Sequence, residues 1–408
     1  MNIKILVGSL ALLLCASLEA QTLNDTGKAA LDIYLQDVIK TTRIPGMVAL
    51  VVNKDGIVYE KAFGLMDTAN SKPMSPDTIF RLASMTKPVT SMGIMMLVEE
   101  GKIDLDAPAS KYVPSLANQQ VFTSYNLADG TYKAEPVKNE YTVRQLLTHT
   151  SGLGYTFTSD ILVKAMTGVQ GARATTLPLL FEPGTQWHYG ESTRVLGEII
   201  EAVSGQELAA FLDARILKPL HMEDTTYDVP AEKNSRVATV HRSDGSKLVE
   251  NPNPAGVISS PHQGDGGLSG TASDYAQFIR LYLNGGKVGD SGQLIKSETL
   301  DRMGESGTGN VKVQLMVSTN KLTSEDFPLG AGVDTYALGF QRTEAQAAPN
   351  MRSVGSLAWA GIFNTEFWID PQKEIGAVLL MQYLPFYDKA AIEALQGFEQ
   401  RIYSNLQE

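Results

Sequence analysis

Cysteine is almost absent from this 408-residue chain: the single one, Cys15, sits inside the apolar stretch "ILVGSLALLLCAS" near the amino terminus. Without it, thiol catalysis, a disulfide framework and cysteine-held metal are all excluded from the rest of the chain. There is no basic excess either, since 34 Lys and Arg face 45 Asp and Glu, a net charge of −11 without any acidic block. Nucleic acid and anionic membranes are therefore not expected partners. The five histidines, at 149, 188, 221, 241 and 262, lack the i, i+4 spacing of helical zinc sites, so neither a metal nor a cofactor is expected. No serine has glycine both two before and two after it, which removes the strand-to-helix elbow of Ser-His-Asp hydrolases. "GDSG" at 289–292 follows "NGGKV" and reads as a turn.

Long hydrophobic runs are missing beyond the amino-terminal one, which spans roughly a dozen residues against the ~20 needed to cross a bilayer. Lys4 precedes that run and small residues ending at Ala20 follow it, the pattern of a secretory leader cleaved after Ala20. A bulky Leu14 fits poorly with lipoprotein processing at Cys15. The expected location is periplasmic or secreted, with no membrane span in the mature chain. Removing residues 1–20 takes away one base, Lys4, and one acid, Glu19, so the net charge does not change.

With 43% hydrophobic residues, the chain has the material for a large core. "LNDTGKAALDIYLQDVIKTT" has helical spacing with Asn24 or Asp25 as cap, and "MVALVVNKDGIVYEKAFGLMD" reads as a hairpin turning at Lys54 to Gly56. Near the other end "TEFWIDPQKEIGAVLLMQY" repeats the hairpin pattern, turning at Asp370 to Lys373, and "DKAAIEALQGFEQRIYSNL" is a closing helix. The middle is mostly helical, with polar surface excursions at Thr123 to Glu140 and Gly304 to Gly330. The expected architecture is α+β: an antiparallel sheet flanked by helices, built from 21–87 and 275–408, with a mostly helical insertion at 88–274. The active site is expected at their interface.

One stretch carries chemistry. In "FRLASMTKPVTSMGIMMLVEEGK" the residues from Met85 to Glu100 are apolar nearly all round, so the helix is buried; Pro88 fits its first turn and Gly101 its stop. Ser84 and Lys87, three apart, share one face at the helix start. There, helix dipole and burial both disfavour an ammonium, so Lys87 is placed to accept the proton of the Ser84 hydroxyl. The Ser84 N–H is likewise placed to meet a developing oxyanion. The same spacing recurs at Ser318 and Lys321 ("STNK"), in a polar segment with no buried helix. Tyr189, in "QWHYGESTRVLGEIIEAVSG", offers a third group that moves protons, while His188 beside it is a candidate for tuning that phenol. Read alone, Tyr189 is equally a packed aromatic.

Together "FRLASMTKPVTS", "YTVRQLLTHTSGL", "FEPGTQWHYGEST", "GDGGLSGTASDYAQFIRLYLNGG" and "YALGF" resemble the serine β-lactamase and penicillin-binding superfamily in order and over nearly the whole mature chain. The chain looks most like the class C branch and its esterase relatives, the family VIII carboxylesterases. The resemblance implies a β-lactamase/transpeptidase-like fold, Ser84 as acylated nucleophile, Lys87 as its activating partner and Tyr189 as base and later acid. It also implies that the N–H groups of Ser84 and Ile362 form the oxyanion hole. His149, in "LTHTSGL", is expected to be structural, and Tyr155 and Phe157 to line the pocket.

Two departures point to esters. Glu191 stands where the family's Tyr-x-Asn element has asparagine, and "WAG", Trp359 to Gly361, stands at the Lys-Thr-Gly box. The basic residue of that box helps bind the carboxylate of a β-lactam, whereas Trp359 offers an uncharged apolar face and Gly361 a close approach to the strand. The expectation is a secreted serine hydrolase acting on carboxylic esters of small, largely apolar substrates. A class C-type β-lactamase or D-alanyl-D-alanine carboxypeptidase, and a penicillin-binding sensor that does not turn over, are the alternatives; oligomeric state is left open.

Overall fold

A computed structural model describes residues 21–167, 174–243, 247–251, 262–289 and 292–407. The expected leader, with Cys15, lies outside them. The chain enters through helix α1 (Asp25–Thr41), capped by Asn24, whose side chain accepts the Gly27 N–H at 2.7 Å. It then forms strands β1 (Gly46–Asn53), β2 (Ile57–Asp67) and the short β3 (Lys72–Pro73). After a long excursion it returns to the same sheet through β4 (Thr335–Tyr336), β5 (Gln341–Arg342), β6 (Leu357–Gly361), β7 (Thr365–Asp370) and β8 (Ile375–Leu380). The spatial order is β4-β5-β6-β7-β8-β1-β2-β3, antiparallel throughout.

Strand periodicity explains why this sheet has two covered faces. In β1, Val48, Leu50 and Val52 point into one core and Met47, Ala49 and Val51 into the other. The second core is closed by α1 and the carboxy-terminal helix, here numbered after those that precede it. Those are α2 (Thr86–Glu99), α3 (Ser192–Ser204) and α4 (Ala272–Leu283); the closing helix α5 is Lys389–Tyr403. The first core is closed by α4, which lies on β1 and β8, and by α2. The boundary expected at 275 therefore falls inside a helix that packs on the sheet.

Helix α2 is buried at every position from Thr86 to Leu97 and is held against α3 and the helical segments Leu208–Leu212 and Ser297–Gly304. Each of its large apolar side chains contributes roughly 1.5–3 kcal/mol of burial, so α2 is a rigid post for whatever its first turn carries. It stops at Gly101, whose φ of +71° suits glycine. Within 88–274 the polar stretch expected to be loop from Thr123 to Glu140 is in part a hairpin, Gln120–Tyr125 with Tyr132–Pro136, joined by the Phe122 and Tyr132 rings at 5.0 Å. Its strand pattern is masked by exposed, polar side chains on most positions. No helix among the described residues is long and apolar enough to cross a membrane.

Candidate active site

Ser84 does not stand in the α-helix itself. It occupies a single 3-10 turn, Ala83–Met85, from which α2 continues at Thr86. Ala83 carries that turn at φ +48°, a left-handed conformation that costs a non-glycine residue about 1–3 kcal/mol. The surroundings over-determine it. Leu82 N–H donates to the Leu268 carbonyl at 2.9 Å, the Leu268 N–H donates to Thr86 Oγ1 at 3.2 Å, and the Tyr275 hydroxyl donates to the Met85 carbonyl at 3.0 Å. The segment 263–270 thus clamps the start of α2 from the far end of the insertion.

On this frame three side chains converge. Lys87 Nζ donates to Ser84 Oγ at 3.0 Å and to the Asp265 carbonyl oxygen at 2.6 Å, and the Tyr189 hydroxyl donates to Ser84 Oγ at 2.7 Å. Lys87 is 1% exposed, and its Nζ lies over the rings of Tyr189 at 4.8 Å and Tyr155 at 5.4 Å. Aromatic faces and a carbonyl are partners for an ammonium. Since both neighbours donate to Ser84 Oγ, one of them must be deprotonated before it can take the serine's proton.

Tyr189 is held from behind. Gly190 passes so close to the Leu153 carbonyl that a Cβ there would collide with it, and His188 N–H donates to the His149 carbonyl at 2.9 Å. The His188 ring turns away from the phenol to Thr158 Oγ1 at 3.2 Å, and burial pushes it down to about 4, so it is neutral at pH 7. His149 is buried among Tyr189, Tyr336 and Trp187, ring centroids 4.9, 5.2 and 6.4 Å away, and desolvation holds it well below the usual histidine range. It packs the catalytic tyrosine candidate rather than facing Ser84.

Ser84 opens into a cavity of about 40 Å³ bordered by Tyr189, Phe157, Trp359, Gly361, Ile362 and Phe327. The wall includes no charged side chain. Gly361 is required here, because a Cβ would run into the Leu82 carbonyl two residues before Ser84. β5 pairs β6 only at Leu357 and Ala358, so the Trp359–Gly361 half keeps a free edge toward the Ser84 turn. The Trp359 ring lies 5.0 Å from Tyr189, and its indole N–H is buried with no partner among the described residues.

Two expected pocket residues stand elsewhere. Tyr155 lies behind the wall: its ring stacks on Phe157 at 4.9 Å, and its hydroxyl donates to the Asp265 carboxylate. Burial and the Asp265 charge raise it well above the ordinary phenol range. Glu191 does not border the cavity; it pairs with Arg194 at 3.1 Å, one turn along, and burial raises its carboxyl. The longer acidic side chain reaches the next turn of α3 instead of the substrate space.

Asp265 is the group that pattern reading missed, touching Lys87 through its carbonyl and Tyr155 through its carboxylate. Its signal was the glycine run "GDGG": Gly264 packs against Gly197 and the Thr193 carbonyl with no room for a Cβ. Also unassigned were Phe327, Met316 and Phe386, which the 304–330 excursion and the chain after β8 fold over the cavity.

A family model described as Beta-lactamase matches residues 31–400. A Mycobacterium tuberculosis protein, Rv1367c, is 30% identical over 390 residues, covering 89% of this chain and 92% of its own. Esterase EstB of Burkholderia gladioli is 29% identical over 375 residues, covering 86% and 89%. Among solved structures, a mutant of simvastatin synthase (LovD) from Aspergillus terreus superposes with a TM-score of 0.79 at 24% identity, covering 93% of this chain and 95% of that one.

Proposed function

Because this chain belongs to the β-lactamase family, with the antiparallel sheet and flanking helices of the β-lactamase/transpeptidase-like fold, we propose that it is a serine hydrolase of the family VIII carboxylesterase kind. It cleaves carboxylic esters of small, largely apolar substrates through an acyl-enzyme on Ser84. The observation that carries this reading is the pairing of Lys87 and Tyr189 on Ser84 Oγ inside a cavity whose wall holds no cation. A β-lactam carboxylate would lose its hydration there with nothing to pair with, whereas a neutral ester loses little. The similarity to an esterase over 86% of the chain supports the same reading.

In this mechanism Lys87 and Tyr189, both within hydrogen-bond reach of Ser84 Oγ, share the removal of its proton, which passes to Tyr189 as Oγ attacks the ester carbonyl. The tetrahedral oxyanion is held by the N–H groups of Ser84 and Ile362, each worth about 3 kcal/mol in related arrangements. Tyr189 returns its proton to the departing alcohol. Water then repeats the sequence on the acyl-enzyme and frees the acid. Phe157 and Trp359 border the acyl or alcohol group, and Tyr155 supports Phe157 from outside the wall. The leader read at 1–20 would carry the enzyme out of the cytoplasm.

A paired assay tests this. Purified protein receives p-nitrophenyl butyrate or a chromogenic cephalosporin, and the mass of the Ser84 peptide is followed. Rapid ester turnover with a transient butyryl adduct is expected. Preferential cephalosporin turnover, or a stable adduct with no turnover of either, would replace the reading.

A further inference from the structure

Behind the Phe327 ring lies a second cavity, of about 380 Å³, bounded by β6, β7, α5 and the segments 327–334 and 343–352. That volume falls within the roughly 300–1,000 Å³ of small-molecule sites. It is nearly ten times larger than the Ser84 cavity, with which it shares Phe327, Trp359 and Ala360.

Its wall mixes apolar side chains with polar and charged ones whose partners differ. Arg352 is engaged: Nε and one terminal nitrogen donate to the Glu399 carboxylate at 2.8 and 2.5 Å, and the guanidinium lies 4.8 Å from the Trp368 ring. Asp334 is engaged too, accepting from Gln341 Nε2 at 2.8 Å and from the Glu344 N–H at 3.0 Å. Glu366 is not. It stands on β7 opposite Ala360, is 8% exposed, and its Oε1 is buried with no hydrogen-bond partner among the described residues.

A valine at this point of a buried strand would cost nothing, whereas an unpartnered carboxyl is destabilising. Three carboxyl groups, Glu366, Asp334 and Glu399, face one guanidinium that Glu399 already holds, so Glu366 is left with a free acceptor. We propose that this cavity is a second binding site, separate from the Ser84 cavity, for a small organic amine whose apolar body lies among Phe327, Ile392 and Leu395 and whose ammonium pairs with the Glu366 carboxylate.

The charge of Glu366 follows from its surroundings. Burial pushes its carboxyl up to about 8 while Arg352 pulls it down. The other titratable groups facing it are Glu399 from α5, Asp334 and the Tyr387 phenol. At pH 7 the empty site therefore holds a protonated Glu366. Where Glu366 is protonated, binding of an ammonium ionises it and its proton leaves to solvent.

The experiment is calorimetric titration of the full chain with 2-phenylethylamine, after Ser84 has been sealed by diethyl p-nitrophenyl phosphate. Wild type should bind saturably, with a heat that depends on the ionisation enthalpy of the buffer. Glu366→Gln should weaken binding at least tenfold, as should replacing the amine by 2-phenylethanol. Absence of binding, equal binding by Glu366→Gln, or binding only when Ser84 is free would overturn the proposal. Leu395→Trp, which fills the cavity from α5, serves if Glu366→Gln fails to fold: it should abolish binding, and unchanged affinity would be equally fatal.

Discussion

The chain contains the same spacing of serine and lysine twice, and both serines, Ser84 and Ser318, border one cavity. At the first, Lys87 rises from the opening turn of a buried helix, 1% exposed, and reaches Ser84 Oγ at 3.0 Å. At the second, no helix follows. Lys321 is half-exposed and turns to Asp326 and Glu325, while Ser318 Oγ accepts the Asn320 N–H at 3.1 Å. Two hydroxyls of equal chemistry thus differ entirely in what faces them. Spacing places two side chains within reach; burial of the lysine and a carbonyl at Asp265 decide which partner it takes.

That contrast can be broken most sharply at its first member. Ser84→Ala is expected to fold normally and to lose ester turnover by a factor on the order of 10⁴ or more. Steady-state rates with p-nitrophenyl butyrate check it, and an active variant would mean the nucleophile lies elsewhere, Ser318 being the next to examine. Tyr189→Phe keeps the ring packing of His149 and Trp359 but removes the proton carrier, so kcat should fall roughly 10²–10⁴-fold. A loss confined to KM would instead make the tyrosine a wall.

A subtler change probes the frame. Gly361→Ala forces a Cβ against the Leu82 carbonyl, so β6 and the Ser84 turn must separate; activity should fall by about 10²-fold. Overpacking of this kind costs about 1–3 kcal/mol, readable as a lower urea midpoint. An unchanged midpoint and rate would show that the approach of strand and turn is not needed. Smallest of all, Lys321→Ala should alter activity by less than about twofold and leave the urea midpoint essentially where it is, because its ion pairs are exposed. If it cripples the enzyme, the two copies of the motif are not distinguished by burial.

Much of the frame was readable without coordinates. Asn24 caps α1, the hairpins turn at 54–56 and at 371–374, the second one residue past the expected 370–373, and α2 is apolar nearly all round, because period-two and period-3.6 patterns record which faces are covered. The 120–136 hairpin escaped because an exposed two-stranded ribbon keeps no apolar alternation. Glu191 was expected at the substrate and sits with Arg194, since alignment fixes a position but not the direction of a longer side chain.

By itself, then, the sequence determined the local order: a hydroxyl and an amine one turn apart, a glycine where a strand must come close, helices that cannot stay in water. Tertiary structure alone decided the rest. Tyr189 arrives at Ser84 from 105 residues away and the Asp265 carbonyl reaches Lys87 across 178, while the cavity behind Phe327 exists only where β7, α5 and two loops meet. Contacts between residues so distant in the chain leave no periodic trace, because they are set by which surfaces exclude water together.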